Sequence, residues 1–314
     1  MFRHIKRECA KSSAEMEEIM RVKKLAAIGL SVVCALGVMT GCGTSDKSAA
    51  GSSGKMPITV ISREEGSGTR GAFVELFGIE EENADGEKVD MTTVDAAISN
   101  STEAIMTTVA DDEYAIGYTS LGALNSTVKA LKIDGAEATA ENIKNGSYKI
   151  QRPFNIATKG EVSDLAQDFI QFILSEDGQK VVEANGYIAI ENQGKFTSNN
   201  AAGKLVIAGS SSVSPVMVKL TEAYNAINAG AEIEVQESDS TTGMTSAAEG
   251  TCDIGMASRE LKDTEAEAGL VSTAIALDGI AVIVSNENAV EDITPDMVKE
   301  IFKGEVTDWN DVAK

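Results

Sequence analysis

The sequence predicts an α/β protein of two lobes, and three observations predict it. Apolar runs of strand length alternate with segments of helical spacing along nearly the whole chain after residue 56. The chain has 314 residues, 43% of them apolar and 24% charged, which is enough to bury two compact cores. Three times, a strand-like run passes into a loop of Gly, Ser or Thr that opens a helix.

Residues 57–62 read as a short buried strand, 66–68 as a glycine-rich turn, and 69–77 as a helix with Ala72, Phe73, Leu76 and Phe77 on one face. Residues 92–109 read as a second helix, 114–118 as a strand and 148–158 as an extended stretch. Helical spacing resumes over 162–174 and 177–184, and 187–190 reads as a strand. The polar stretch 191–203 reads as a linker. Beyond it, 205–209 is a strand, Ser210-Ser211-Ser212 a polar loop, and 216–227 a helix with Pro215 at its first turn. Residues 233–236 form a strand, 239–243 a second polar loop and 244–249 the start of a helix. Strands follow at 253–257 and 275–284, then a short helix at 294–302 with Thr294 as N-cap and Pro295 at its first position.

The N-terminus reads as an address. Arg21-Val22-Lys23-Lys24 is basic, 25–40 is apolar, and Gly41-Cys42 precedes a polar stretch. This is the design of an export signal, too short for a comfortable membrane span. Met20 suits the start of such a signal better than Met1. Met39-Thr40-Gly41-Cys42 resembles a bacterial lipobox, which implies lipidation of Cys42 and anchoring to the outer face of the cell membrane. Residues 43–55 then form a flexible tether.

Composition excludes several functions. The formal net charge is −22 and aromatics make up 4%, against nucleic acid as a partner. The one histidine, His4, falls in the leader, so the exported chain has no Ser-His-Asp triad and no histidine metal site. Cys9, Cys34, Cys42 and Cys252 form no disulfide framework or metal spacing, and Cys252 reads as a small buried hydrophobe. No cofactor is expected.

The three loops suit an oxyanion. A helix N-terminus presents unpaired N–H groups and a partial positive charge, which small residues let an anion approach. Several such loops in a cleft can hold an anion without net positive charge. In Arg63-Glu64-Glu65-Gly66-Ser67-Gly68-Thr69, Arg63 adds a planar fork suited to phosphate oxygens. Glu65 is expected to orient that arginine or to accept a proton from the anion. The loop fails the spacing of a nucleotide P-loop.

These residues resemble the phosphate-binding protein of bacterial ABC phosphate importers over nearly all of 57–314. The resemblance is carried by 62–70, Ala115-Ile116-Gly117-Tyr118, 209–215, 253–259 and Ile301-Phe302-Lys303-Gly304 with Trp309. It implies phosphate contacts at Arg63, Ser67, Gly68, Thr69, Ser211, Ser212 and Ser240. Some members place an aspartate where this chain has Ser258, beside Arg259; Ser258 is kept in the expected site and Arg259 behind it. The resemblance also implies permease subunits as partners and a type II periplasmic-binding-protein-like fold, with a hinge and an interlobe cleft. The expected lobes are 57–153 with 279–314, and 157–278, with 152–158 and 275–284 as crossing strands. Relative to the usual order the two segments are exchanged, so the chain is expected to be circularly permuted, with 191–203 joining the old ends and Lys314 near Met56. Alternatives are a receptor for another oxyanion or small solute, a secreted hydrolase using Ser67 or Ser211, and an adhesion or sensor lipoprotein.

Overall fold

A computed structural model describes residues 54–312 apart from Asp85. The leader with His4, the lipobox with Cys42, most of the tether, and Lys314 lie outside the described residues. In chain order the elements are β1 (Thr59–Arg63), α1 (Gly68–Leu76), β2 (Glu80–Glu82), β3 (Lys88–Asp90), β4 (Ala97–Ser99), α2 (Thr102–Ala110), β5 (Ala115–Ser120), β6 (Val128–Ala130) and β7 (Lys132–Ile133). Then come α3 (Ala140–Lys144), β8 (Gln151–Lys159), α4 (Asp164–Leu174), α5 (Glu176–Ala184), β9 (Gly203–Ser210), α6 (Ser214–Ile227), β10 (Ala231–Ser238) and α7 (Ser240–Glu249). The last are β11 (Ile254–Ala257), α8 (Asp263–Glu267), β12 (Leu270–Ser285), β13 (Asp292–Ile293) and α9 (Pro295–Phe302).

One mixed sheet runs β10-β9-β11-β8-β12-β5-β1-β4, with β6 also paired to β12. Its middle is the antiparallel pair β8–β12, in which Arg152 faces Asp278 and Leu270 faces Lys159. Residue 279 is where β12 leaves β8; from Ile280 it pairs with β5 instead. This single strand of 16 residues therefore belongs to both halves of the molecule. Its apolar run Ile280–Val284 needs cover on both faces, and it has it. Ile280, Val282 and Val284 point into a core with Phe73, Tyr118, Phe302 and Trp309, while Ala281 and Ile283 point into another with Ile105, Met106 and Val109. The alternation is the two-residue period of a strand.

The other half repeats the design. Leu205 and Ile207 of β9 face Phe169, Val216, Leu220 and Tyr224, whereas Ala208 faces Met244, Ala247 and Cys252 on the opposite side. Cys252 is buried there, and burial pushes its thiol pKa up, as befits a packing residue. Each fully buried aliphatic or aromatic side chain contributes roughly 1.5–3 kcal/mol, so each half carries its own core. Helices on both faces of a mixed sheet, with separate cores either side of crossing strands, make an α/β fold of two lobes.

Three readings of the sequence need correction, the first at 187–190, where no strand forms and only Ile188 bridges to Leu277. Residues 92–109 are not one helix: β4 occupies Ala97–Ser99 beside β1, and α2 begins only at Thr102 with Ser101 as N-cap. Pairing with β1 decides the conformation of Ala97 and Ile98 over their local helical tendency. In the second polar loop, Ser240–Gly243 is already helical, because the Asp239 side chain accepts from Thr242 N and caps α7 one turn early.

The two ends of the described chain lie side by side. Trp309 N donates to Met56 O at 2.8 Å, Ile58 N donates to Thr307 O at 2.9 Å, and Pro57 forms an antiparallel bridge with Asp308. The stretch 191–202 is tied to the lobe of α4: Gln193 N donates to Leu174 O, and Ser198 Oγ and Asn199 N both donate to the Asp168 carboxylate. Among the described residues, no helix is long and apolar enough to cross a membrane.

Candidate oxyanion site between the lobes

Four helices begin at one place. The start of α1 is set by Ser67, whose side chain accepts from Arg70 N, and the starts of α2 and α7 by Ser101 and Asp239. The fourth helix, α6, follows Ser211 and Ser212 without a side-chain cap. Two of these helices come from each lobe. Their first residues touch across the cleft: Thr69 Oγ1 meets Ser212 Oγ at 2.9 Å, and Thr102 Oγ1 meets Ser211 Oγ at 3.1 Å and Ser212 Oγ at 2.9 Å. Thr102 N also donates to Ser211 Oγ.

Arg63 lies in the middle of this group at 2% exposure. It ends β1, where Tyr118 fixes the backbone: the Tyr118 hydroxyl meets Ser62 Oγ at 2.9 Å and accepts from Arg63 N at 3.0 Å. Tyr118 is itself stacked on Phe73, and burial pushes its hydroxyl pKa up to about 12, so it stays protonated. The Arg63 guanidinium donates through Nη1 to Thr102 Oγ1 and through Nη2 to Ser211 Oγ, which lies in the other lobe.

The carboxylate that orients Arg63 is Glu64, not Glu65. Arg63 Nε and Nη2 reach the two Glu64 oxygens at 2.8 and 2.7 Å, a bidentate pair. The turn closed by Ser67 N donating to Glu64 O carries Glu65 outward, where it is exposed. Glu65 is therefore away from the hydroxyl cluster that it was expected to serve.

A second group adjoins the first. Ser258 Oγ lies 3.0 Å from Ser210 Oγ and 3.4 Å from Ser240 Oγ, and Ser258 N donates to Ser240 Oγ. Gly68 sits against them: a Cβ there would lie 2.5 Å from Ser240 Oγ and 2.8 Å from Ser258 Oγ. Thr241 N and Oγ1 both donate to Gly66 O across the cleft. Gly209, just before the serine loop, has φ of +136° and packs against the Met256 backbone, a position only glycine takes without strain. Arg259 stands outside the hydroxyl group. Its guanidinium is held by Glu265 at 2.7 Å and by Thr241 Oγ1; burial raises the Glu265 pKa, but its bonds to Arg259 and to Lys262 N outweigh this and lower it.

The structure thus brings together Arg63, Ser67, Gly68, Thr69, Ser211, Ser212, Ser240 and Ser258. Sequence reasoning missed Thr102 and Glu64. Thr102 follows Ser99-Asn100-Ser101, the same small polar run that marks the other helix starts, hidden here by the helical reading of 92–109. A serine or threonine hydroxyl both donates and accepts, so each one now bonded to another hydroxyl can turn to an anion once the loops part. Four helix N-termini and one guanidinium supply the positive potential that the net charge of −22 does not. Among the described residues no group of three His, Cys, Asp or Glu side chains could hold a metal ion.

Such a donor-rich cleft between two lobes is the arrangement of a bilobal solute-binding protein. A family model for the PBP superfamily domain matches residues 44–177 and 194–314. A phosphate-binding protein PstS 2 of Streptococcus agalactiae is 54% identical over 293 residues, 93% of this chain and 99% of the relative. One of the same name from Streptococcus pneumoniae is 44% identical, over 93% of this chain and all of the relative. The crystal structure of a phosphate-binding protein of a phosphate ABC transporter from S. pneumoniae is similar with a TM-score of 0.65 and 45% identity, covering 82% of this chain and 100% of that one. The chain belongs to the PBP superfamily and, within it, to the family of the PstS 2 phosphate-binding proteins.

Proposed function

We propose that this chain captures inorganic phosphate between its lobes and delivers it to the permease subunits of an ABC importer. The observation that carries this reading is the meeting of Arg63 and Thr102 with Ser211, residues of different lobes, at the start of converging helices. An anion bound there touches both lobes and so favours their approach. The contacts assigned to phosphate are Arg63, Ser67, Gly68, Thr69, Ser211, Ser212, Ser240 and Ser258, with Thr102 added and Arg259 behind. The lobes are 57–153 with 279–314, and 157–278. Export, lipid attachment at Cys42 and a tether over 43–55 keep the protein at the outer face of the cell membrane.

We also propose that the segment order is a circular permutation joined through 191–203. The adjacency of Met56 and Trp309 supports it, since an unpermuted chain would run straight through that point. The streptococcal relatives align over nearly their full length, so they share this order.

One observation favours a receptor for another oxyanion, such as one that carries no proton: Glu65, expected to accept a proton from the anion, is exposed. Calorimetric titration with phosphate, repeated in excess sulfate, separates the two. Phosphate binding that sulfate leaves unchanged is the expected result. Equal competition by sulfate would replace phosphate with a broader class of oxyanion.

A further inference from the structure

Arg152 and Asp278 face each other in register where β8 and β12 pass from one core to the other. They are 3% and 1% exposed, and Arg152 Nη2 donates to Asp278 Oδ2 at 3.1 Å. Withdrawing two charges from water is so unfavourable that an apolar pair would hold the strands at least as well. The remaining bonds of the pair are directed to the two lobes. Arg152 Nη1 donates to the carbonyl of Ser258 at 3.1 Å, in the site group of one lobe. Asp278 Oδ1 accepts from Gly122 N at 3.2 Å, in a short 3-10 turn of the other. Burial raises the Asp278 pKa, with the Arg152 charge opposing it.

A second observation concerns what surrounds the pair. Arg152 Nε is buried without a hydrogen bond, and the Ser120 hydroxyl lies within reach of both the Asp278 carboxylate and the Tyr187 hydroxyl. The Tyr187 ring lies so close over Gly122 that a Cβ there would overlap it. Buried polar groups left in this way are rare and call for a reason. At a crossing of strands, an unpaired guanidinium N–H beside a hydroxyl shared by Asp278 and Tyr187 is what a hinge with two arrangements leaves behind.

We propose that Arg152 and Asp278 are positioning residues for phosphate binding, an ion pair at the hinge that fixes Ser258 relative to the opposite lobe when the cleft closes. The inference rests on phosphate as the ligand and adds residues that do not touch it. Its test uses the double variant Arg152→Met/Asp278→Asn, which removes both charges together, and a spin-label pair at the exposed positions Val94→Cys and Val271→Cys to read the distance between lobes. The expected result is a Tm close to that of the parent, phosphate affinity lower by roughly tenfold or more, and a label distance that phosphate shortens in the parent but only partly in the variant. Arg152→Lys, which keeps the charge but cannot reach both Asp278 and Ser258, is expected to lose affinity in the same way. Parent-like affinity and closure in either folded variant overturns the proposal. A parent that binds no phosphate overturns the reading beneath it, and shows this before any variant is made.

Discussion

Arg63→Ala weakens phosphate binding by about 10² to 10³-fold. Each hydrogen bond between a charged donor and an anion is worth about 1.5–3 kcal/mol, and Arg63 has two N–H groups, now on Thr102 and Ser211, that an anion in the cleft would take over. The truncation also leaves Glu64 at the cleft without its cation, so that the carboxylate repels the ligand. Calorimetry with phosphate measures the loss, and thermal unfolding shows whether the first lobe survives. Its survival is expected, because the end of β1 is held by Tyr118 through Ser62 and the Arg63 backbone, which the substitution leaves in place. Unchanged affinity in a folded variant would remove Arg63 from the site.

Gly68→Ala is expected to separate binding from stability. The added methyl group meets Ser240 Oγ at 2.5 Å, Ser258 Oγ at 2.8 Å and Arg259 Cγ at 3.1 Å, all in the opposite lobe. Its own lobe tolerates it, since alanine suits the first turn of a helix better than glycine. Approach of the lobes is therefore blocked while each lobe stays folded, and phosphate affinity falls by about tenfold or more, in line with the roughly 1–3 kcal/mol typical of overpacking. Gly71→Ala is the control: nothing lies within 4 Å of the new methyl group, three residues further along the same helix. It should keep full affinity and gain about 0.5–1 kcal/mol of stability. Equal affinity in the two variants would mean that the lobes do not approach as described.

Much of this was legible in the residues. Three of the four helix starts announce themselves as small polar residues between an apolar run and a helical one. The fourth, at Thr102, was obscured because Ala96, Ala97 and Ile98 favour a helix locally and are turned into β4 by pairing with β1. The choice between Glu64 and Glu65 depends on the turn after β1, which two adjacent glutamates cannot reveal. The Arg152–Asp278 pair spans 126 residues and is set by the register of β8 on β12, which no local pattern encodes. The lobe bounds came from the family resemblance, and β12 shows locally only the apolar stretch Ile280–Val284. That stretch must be covered on both faces.

One oxyanion held by both lobes at once is what makes the cleft a binding site. The most direct measurement is a crystal structure of the protein grown with phosphate. The expected density is a phosphate with oxygens at hydrogen-bonding distance, about 3 Å, from the Arg63 guanidinium and the residues 67–69 on one side and from Ser211, Ser212, Ser240 or Ser258 on the other. A phosphate held by one lobe alone, or bound away from Arg63, would contradict it.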